Sequence, residues 1–312
     1  MRSTILGALA ICISASLWGL DGVALTPRLH NMPVPLVVFL LHAVPFVLMQ
    51  PFLYKSYRTF GSLRAGDWVV LLLVALTGGI LGTFSIVKAL FLVDFNQLSV
   101  VVLLQKLQPV FAIVLAGLLL KERITPRFLS WAGMAIAGAY LLTFGLALPD
   151  LDTGATTARA AVWAAIAAAA FGSATVFGKR LLNALDFREA TFGRYGLTTL
   201  LALLYLIASG TGFPLTEVTS QNWLLILLIG VTTGSGAIFL YYFGLTRVRA
   251  IVATVCELCL PLSAILFDYL INGSVLGPWQ WFGAGVLIAA ITMVSLRPAR
   301  GSQPQPATQA AA

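Results

Sequence analysis

Apolar residues gather into ten stretches separated by short polar connections: Thr4–Leu25, Pro35–Tyr54, Trp68–Phe91, Leu98–Leu120, Phe128–Leu146, Ala160–Phe177, Thr191–Ala208, Trp223–Leu245, Ala250–Ile271 and Trp279–Leu296. Each is long enough to cross about 30 Å of hydrocarbon as a helix. None alternates apolar and polar positions as a barrel strand would, and a bilayer holds no water to satisfy open backbone. The pattern therefore predicts an all-α membrane protein with ten transmembrane helices and no soluble domain. The first stretch follows Arg2 and carries Gly22-Val23-Ala24, the outline of a cleavable leader. Trp18 and Asp21 interrupt that outline, and removing the stretch would destroy a repeat, so it reads as a span.

The repeat has an offset of 152 residues, with Pro109 over Pro261, Pro126 over Pro278 and Gly133 over Gly285. Near the start of each half, Trp18-Gly19 lies close to Phe171-Gly172. Five crossings per half is an odd number, so the second half enters the membrane in the opposite sense. The chain is thus expected to form two inverted five-helix repeats around a central cavity, with the substrate site near the midplane between them. The divisions read as residues 1–147 for the first repeat, 148–158 for a periplasmic linker and 159–297 for the second repeat. Residues 298–312, rich in Pro, Gln and Ala, read as a disordered cytoplasmic tail.

Polar residues interrupt the fourth stretch at its centre, in Leu104–Phe111, "LQKLQPVF". A proline in a helix has no N–H, so the carbonyl four residues before it loses its partner. That carbonyl belongs to Gln105 for Pro109 and to Glu257 for Pro261. Lys106 beside it costs about 2.5–3.5 kcal/mol at a helix centre and is expected to pair with Glu257, either as part of the site or as a structural ion pair. Gln105, Lys106, Gln108 and Glu257 are the polar candidates for the substrate site, and Pro109 and Pro261 are candidates for gating. Trp18, Phe84, Phe171, Tyr241 and Tyr242 are the aromatic candidates for its walls, with helix packing as the alternative for each. Asp21, Lys88 and Asp268 lie toward the outer ends of their stretches and read as mouth residues. Gly79 and Gly82 in "TGGILG" (77–82), matched by "GVTTGSGA" (230–237), permit close helix approach, whether for static packing or for sliding. His42 reads as a hydrogen-bonded structural residue.

Composition adds orientation. The chain is 59% hydrophobic and 10% charged, with a net charge of +8. Of its 19 lysines and arginines, all but Arg28, Lys88, Lys106 and Arg159 fall on one side if the N-terminus is cytoplasmic. Both termini are therefore expected in the cytoplasm of a bacterial inner-membrane protein, and the basic pI needs no nucleic-acid partner. The three cysteines fall within the stretches, no metal-ligand spacing occurs, and no cofactor is implied. No nucleophile-base set or paired carboxylates suggest an enzyme, and a single polar patch does not make a channel lining. Partners are a small-molecule substrate and the bilayer; whether a proton drives transport stays open, with Glu257 a candidate carrier.

With the ten stretches, the two halves and "QPVFAIVLAGLLLKERIT" (108–125) in view, the chain resembles the drug/metabolite transporter superfamily in its ten-helix EamA-type branch. Pro109, Glu122, Arg123, Thr125 and Gly133 match the pattern of that family, and Trp18-Gly19 resembles its first-helix motif. The second half departs from it, with "NGSV" (272–275) where the first half has "LKER". The resemblance implies export of small metabolites by alternating access. Within the family the aromatic amino-acid exporter is the first comparison, so small neutral or aromatic amino acids are the expected substrate and organic cations the alternative.

Overall fold

The computed structural model describes residues 2–93, 98–148, 154–210, 212, 215–273 and 275–296. The expected tail, 298–312, and residues 149–153 of the expected linker lie outside them. Among the described residues there are no strands, and ten helices are long and apolar enough to cross a bilayer. These spans, numbered 1 to 10, are Arg2–Leu29, Val34–Leu53, Ala65–Leu92, Val101–Leu119, Pro126–Phe144, Ala155–Leu181, Phe187–Ala208, Ser220–Leu245, Ala250–Ile271 and Pro278–Ser295. Several outrun their apolar cores because capping residues start them early. Asp186 accepts from the backbone N–H groups of Arg188 and Glu189 and opens span 7 ahead of its apolar run. Thr219 and Asn222 do the same for span 8.

The halves exchange partners. Span 1 packs on spans 8 and 9, and its counterpart span 6 packs on spans 3 and 4. Spans 2 and 7 pack on each other, as do spans 5 and 10. Every one of these contacts maps onto another, or onto itself, when the two repeats are interchanged. Two glycines show the same relation at atomic scale. A Cβ on Gly19 would lie 2.8 Å from both the Leu260 carbonyl and the Ala264 nitrogen; one on Gly172 would lie 2.8 Å from the Gln108 carbonyl and 3.0 Å from the Ala112 nitrogen. Gln108 and Ala112 are the repeat equivalents of Leu260 and Ala264. Lipid tails are as apolar as leucine, so helices in a bilayer hold together through this close small-residue packing rather than by exclusion of water.

The spans are not uniform rods. Span 1 ends in a π-helical turn, Asp21–Leu25, followed by a 3-10 turn, Thr26–Leu29. Spans 3 and 8 carry π-helical segments at Ala75–Leu81 and Gly230–Gly234. The last two are the small-residue runs that matched in the sequence. A π turn leaves backbone carbonyls without their usual helical partner, and such groups need other donors inside a membrane.

Candidate functional site

Both proline-bearing spans are broken where the sequence interrupts them. Span 4 consists of Leu98–Gln105 and Gln108–Leu119, joined at Lys106 and Leu107. Span 9 consists of Ala250–Cys256 and Cys259–Asn272, joined at Glu257 and Leu258. The expectation of an open carbonyl fails at the second break. The Leu260 N–H donates to the Glu257 carbonyl at 2.9 Å, because the chain tightens locally to shorter-range bonds. What span 9 offers the interior is the Glu257 side chain.

That carboxylate gathers donors from three other helices. Tyr241 of span 8 donates its hydroxyl to Oε1 at 2.6 Å, and Thr175 of span 6 donates to the same oxygen at 3.1 Å. Gln108 of span 4 donates its amide to Oε2. The Thr175 and Tyr241 hydroxyls are themselves 2.8 Å apart. Trp18 of span 1 sets its ring against Tyr241, with centroids 5.5 Å apart, and Tyr242 follows at 5.8 Å from Tyr241. Five spans from both halves thus converge on one acid. A buried carboxylate needs such donors, each contributing about 1.5–3 kcal/mol when the group is charged.

The expected Lys106–Glu257 pair does not form. Glu257 is occupied by neutral donors, and Lys106, 6% exposed, points its ammonium at the Phe144 ring, 6.0 Å from the centroid. The two breaks match in backbone, but side-chain direction depends on the azimuth of each helix, which the offset does not report. Phe84 is not brought to the cluster either: its ring neighbours are Trp163 at 5.6 Å and Tyr205 at 5.1 Å. Phe171 lies where a Cβ on Gly82 would be, 2.6 Å away, so these two define a contact between spans 3 and 6. Gly79 is likewise closed upon by Thr198. Pro109 is buried, whereas Gln105, Pro261, Lys88 and Asp268 are half-buried. Asp21 accepts from Thr26 and Thr233. His42 donates from Nδ1 to the Val38 carbonyl at 2.8 Å, in keeping with a structural role.

Two residues near this cluster carried no signal as site residues in the sequence. Thr175 sits in an alanine-rich helix and looks like packing. Arg194, near the start of the expected stretch Thr191–Ala208, groups by sequence with the cytoplasmic charges, and the structure corrects this: its side chain turns into the bundle, where it is 8% exposed. Its Nη2 donates to the Gly78 carbonyl at 2.6 Å, and its Nη1 lies 3.5 Å from the Tyr242 hydroxyl. Gly78 belongs to the π segment of span 3, so Arg194 supplies the donor that this turn needs. Its Nε has no partner among the described residues.

A second junction ties the halves together where span 4 ends. Lys121 adopts a left-handed backbone, φ 53°, and so aims Glu122 across at span 9. The Glu122 carboxylate accepts from the backbone N–H groups of Ala250 and Ile251 at 2.8 and 3.1 Å, and Arg249 donates to the Arg123 carbonyl at 3.2 Å. Thr125 caps span 5 by accepting from the Phe128 N–H. Lys121, Glu122, Arg123 and Thr125 belong to the quoted motif, which here is a connector.

Comparison with known proteins matches both halves. The model of the EamA-like transporter family fits residues 5–144 and again 158–296. A riboflavin transporter, ImpX, from Fusobacterium nucleatum subsp. nucleatum is 49% identical over 297 residues, covering 95% of this chain and 99% of that protein. A crystal structure shares the fold with a TM-score of 0.71 at 16% identity, covering 95% of this chain and 97% of that one. Ten spans, exchanged halves and two family matches meeting at the linker lead to one conclusion: the chain belongs to the EamA-like transporter family, within the drug/metabolite transporter superfamily.

Proposed function

We propose that this transporter moves riboflavin across a bacterial cytoplasmic membrane, with both termini on the cytoplasmic side and the repeats 1–147 and 159–297 rocking about the Glu257 cluster. The observation that carries the substrate choice is the full-length likeness to a protein named as a riboflavin transporter. The cluster supports it chemically. Riboflavin has a flat, uncharged tricyclic ring whose polar edge alternates acceptors with an N–H donor, and a chain of hydroxyl groups. Trp18 and Tyr241 offer faces to such a ring. Glu257 and Gln108 offer an acceptor and an amide to its polar edge, and Thr175 offers a hydroxyl.

An amino-acid zwitterion fits less well. That reading needed a cation and an anion side by side, and Lys106 and Glu257 are not paired. Loading purified protein in proteoliposomes with riboflavin and adding labelled riboflavin outside tests the reading. Rapid counterflow of riboflavin is expected, with aromatic amino acids and organic cations failing to compete. Counterflow of an amino acid or a cation without riboflavin would overturn it.

A further inference from the structure

We infer that Asp21 is a proton-binding site, separate from the Glu257 cluster and one helical turn outward of Trp18, and that its occupancy controls how span 1 is tied to span 8. This rests on the transport reading above. Asp21 begins the π turn of span 1 and is half-buried in a membrane span. Its Oδ2 accepts from the Thr26 hydroxyl at 2.9 Å, and its Oδ1 accepts from the Thr233 hydroxyl at 3.2 Å. Thr26 belongs to the 3-10 turn that follows, and Thr233 lies in the π segment of span 8, so the carboxylate bridges two irregular segments. Its hydrogen-bond donors are these two hydroxyls, and among the described residues no cation stands in ion-pair contact with it. Titratable groups on the elements around it include Arg28 and His30 on the turn beyond, Tyr195 and Arg194 on span 7, and Cys259, Asp268 and Tyr269 on span 9.

An acid held by neutral hydroxyls has a simple way to take a proton. A hydroxyl is both donor and acceptor, so no charged partner has to leave. With Asp21 ionised, Thr233 spends its proton on the carboxylate and the spans are joined. With Asp21 protonated, the acid has one donor of its own, and Thr233 must either turn to accept it or swing back to its own helix. Its neighbour Thr232 already donates in that way to the Leu228 carbonyl at 2.6 Å. The proton enters from water on one side of the membrane and leaves to water on the other, and the join across spans 1 and 8 changes with it. Hard metal cations such as Ca2+ gather about six to eight oxygens around them, whereas a proton requires only this carboxylate.

Two measurements on the full-length protein test this. Infrared difference spectra between acid and neutral buffer should show the carbonyl band of a protonated carboxylic acid in the wild type and in Glu257→Gln. The band should disappear in Asp21→Asn and shift in Thr233→Val. A band unchanged by Asp21→Asn would overturn the proposal without reference to any substrate. In proteoliposomes, a pH gradient should drive riboflavin accumulation by the wild type, and Asp21→Asn should lose that response while keeping counterflow. Accumulation that follows a Na+ gradient instead, or coupling retained by Asp21→Asn, would also overturn it. Absence of all riboflavin counterflow in the wild type would count against the substrate reading alone, and the infrared arm would still decide this one.

Discussion

The breaks in spans 4 and 9 share a backbone and differ in chemistry. Each is a short turn ahead of a proline, and each accepts the close approach of a glycine from the first helix of the opposite half. Yet span 9 carries an acid engaged by three helices, whereas span 4 carries a lysine facing an aromatic ring and lends only Gln108 to the cluster. The repeat supplies two matching breaks, and the polar cluster forms where the symmetry is broken. A mechanism that depends on the shared backbone should respond equally to changes in either half. One that depends on the acid should respond to span 9 far more than to span 4.

The largest effect is expected from Glu257→Gln. An amide can neither accept from all three donors nor hold a charge, and a loss of about 1.5–3 kcal/mol corresponds to a fall in transport of about 10- to 100-fold. The measurement is initial-rate counterflow, and a rate within about twofold of wild type would remove Glu257 from the mechanism. Next come Gly19→Ala and Gly172→Ala, each forcing a methyl against backbone atoms of the opposite half. Both should destabilise by about 1–3 kcal/mol, read as matching drops in melting temperature in detergent. A large drop in one and none in the other would show that the halves do not share their packing.

Glu122→Gln should cost about 0.5–2 kcal/mol, the worth of a helix-start cap, and speed cysteine labelling at the end of the bundle where spans 4 and 9 meet. Labelling unchanged from wild type would separate that junction from gating. The smallest effect is expected from Lys106→Met, since the loss of an ammonium over a ring, about 0.5–2 kcal/mol, is offset by removing the cost of a charge inside a span, and the apolar replacement keeps the packing. In the double variant with Glu257→Gln, the two losses should add to within about 0.5 kcal/mol. Strong coupling would mean that the two side chains meet in a state other than the one described.

Much of this is legible in the sequence. Pro109 and Pro261 marked the breaks, and Gln108, Glu257, Tyr241 and Trp18 were all site candidates that the structure gathers into one cluster. Phe84 was a candidate too, and its place in a ring cluster with Trp163 and Tyr205 follows from the direction of one helix face. Arg194 went astray for a different reason. Sorting charges by side assigns a basic residue at the end of a stretch to the nearer surface, whereas the helix face that Arg194 occupies turns its guanidinium inward to the Gly78 carbonyl. Thr175 had no local mark, because a hydroxyl in a helix also bonds its own backbone, as Ser173 does to Ala169.

The sequence by itself determined the number of crossings, the two halves and the places where helices break, because a bilayer forces backbone hydrogen bonds to close within each span and so writes span length and interruption into the local pattern. Only the tertiary structure decided which partners the buried charges take: Glu257 with neutral donors, Arg194 with a π-turn carbonyl, Lys106 with a ring. Those choices depend on how each helix is rotated about its axis against neighbours far away in the chain, and no periodicity along one helix records the rotation of another.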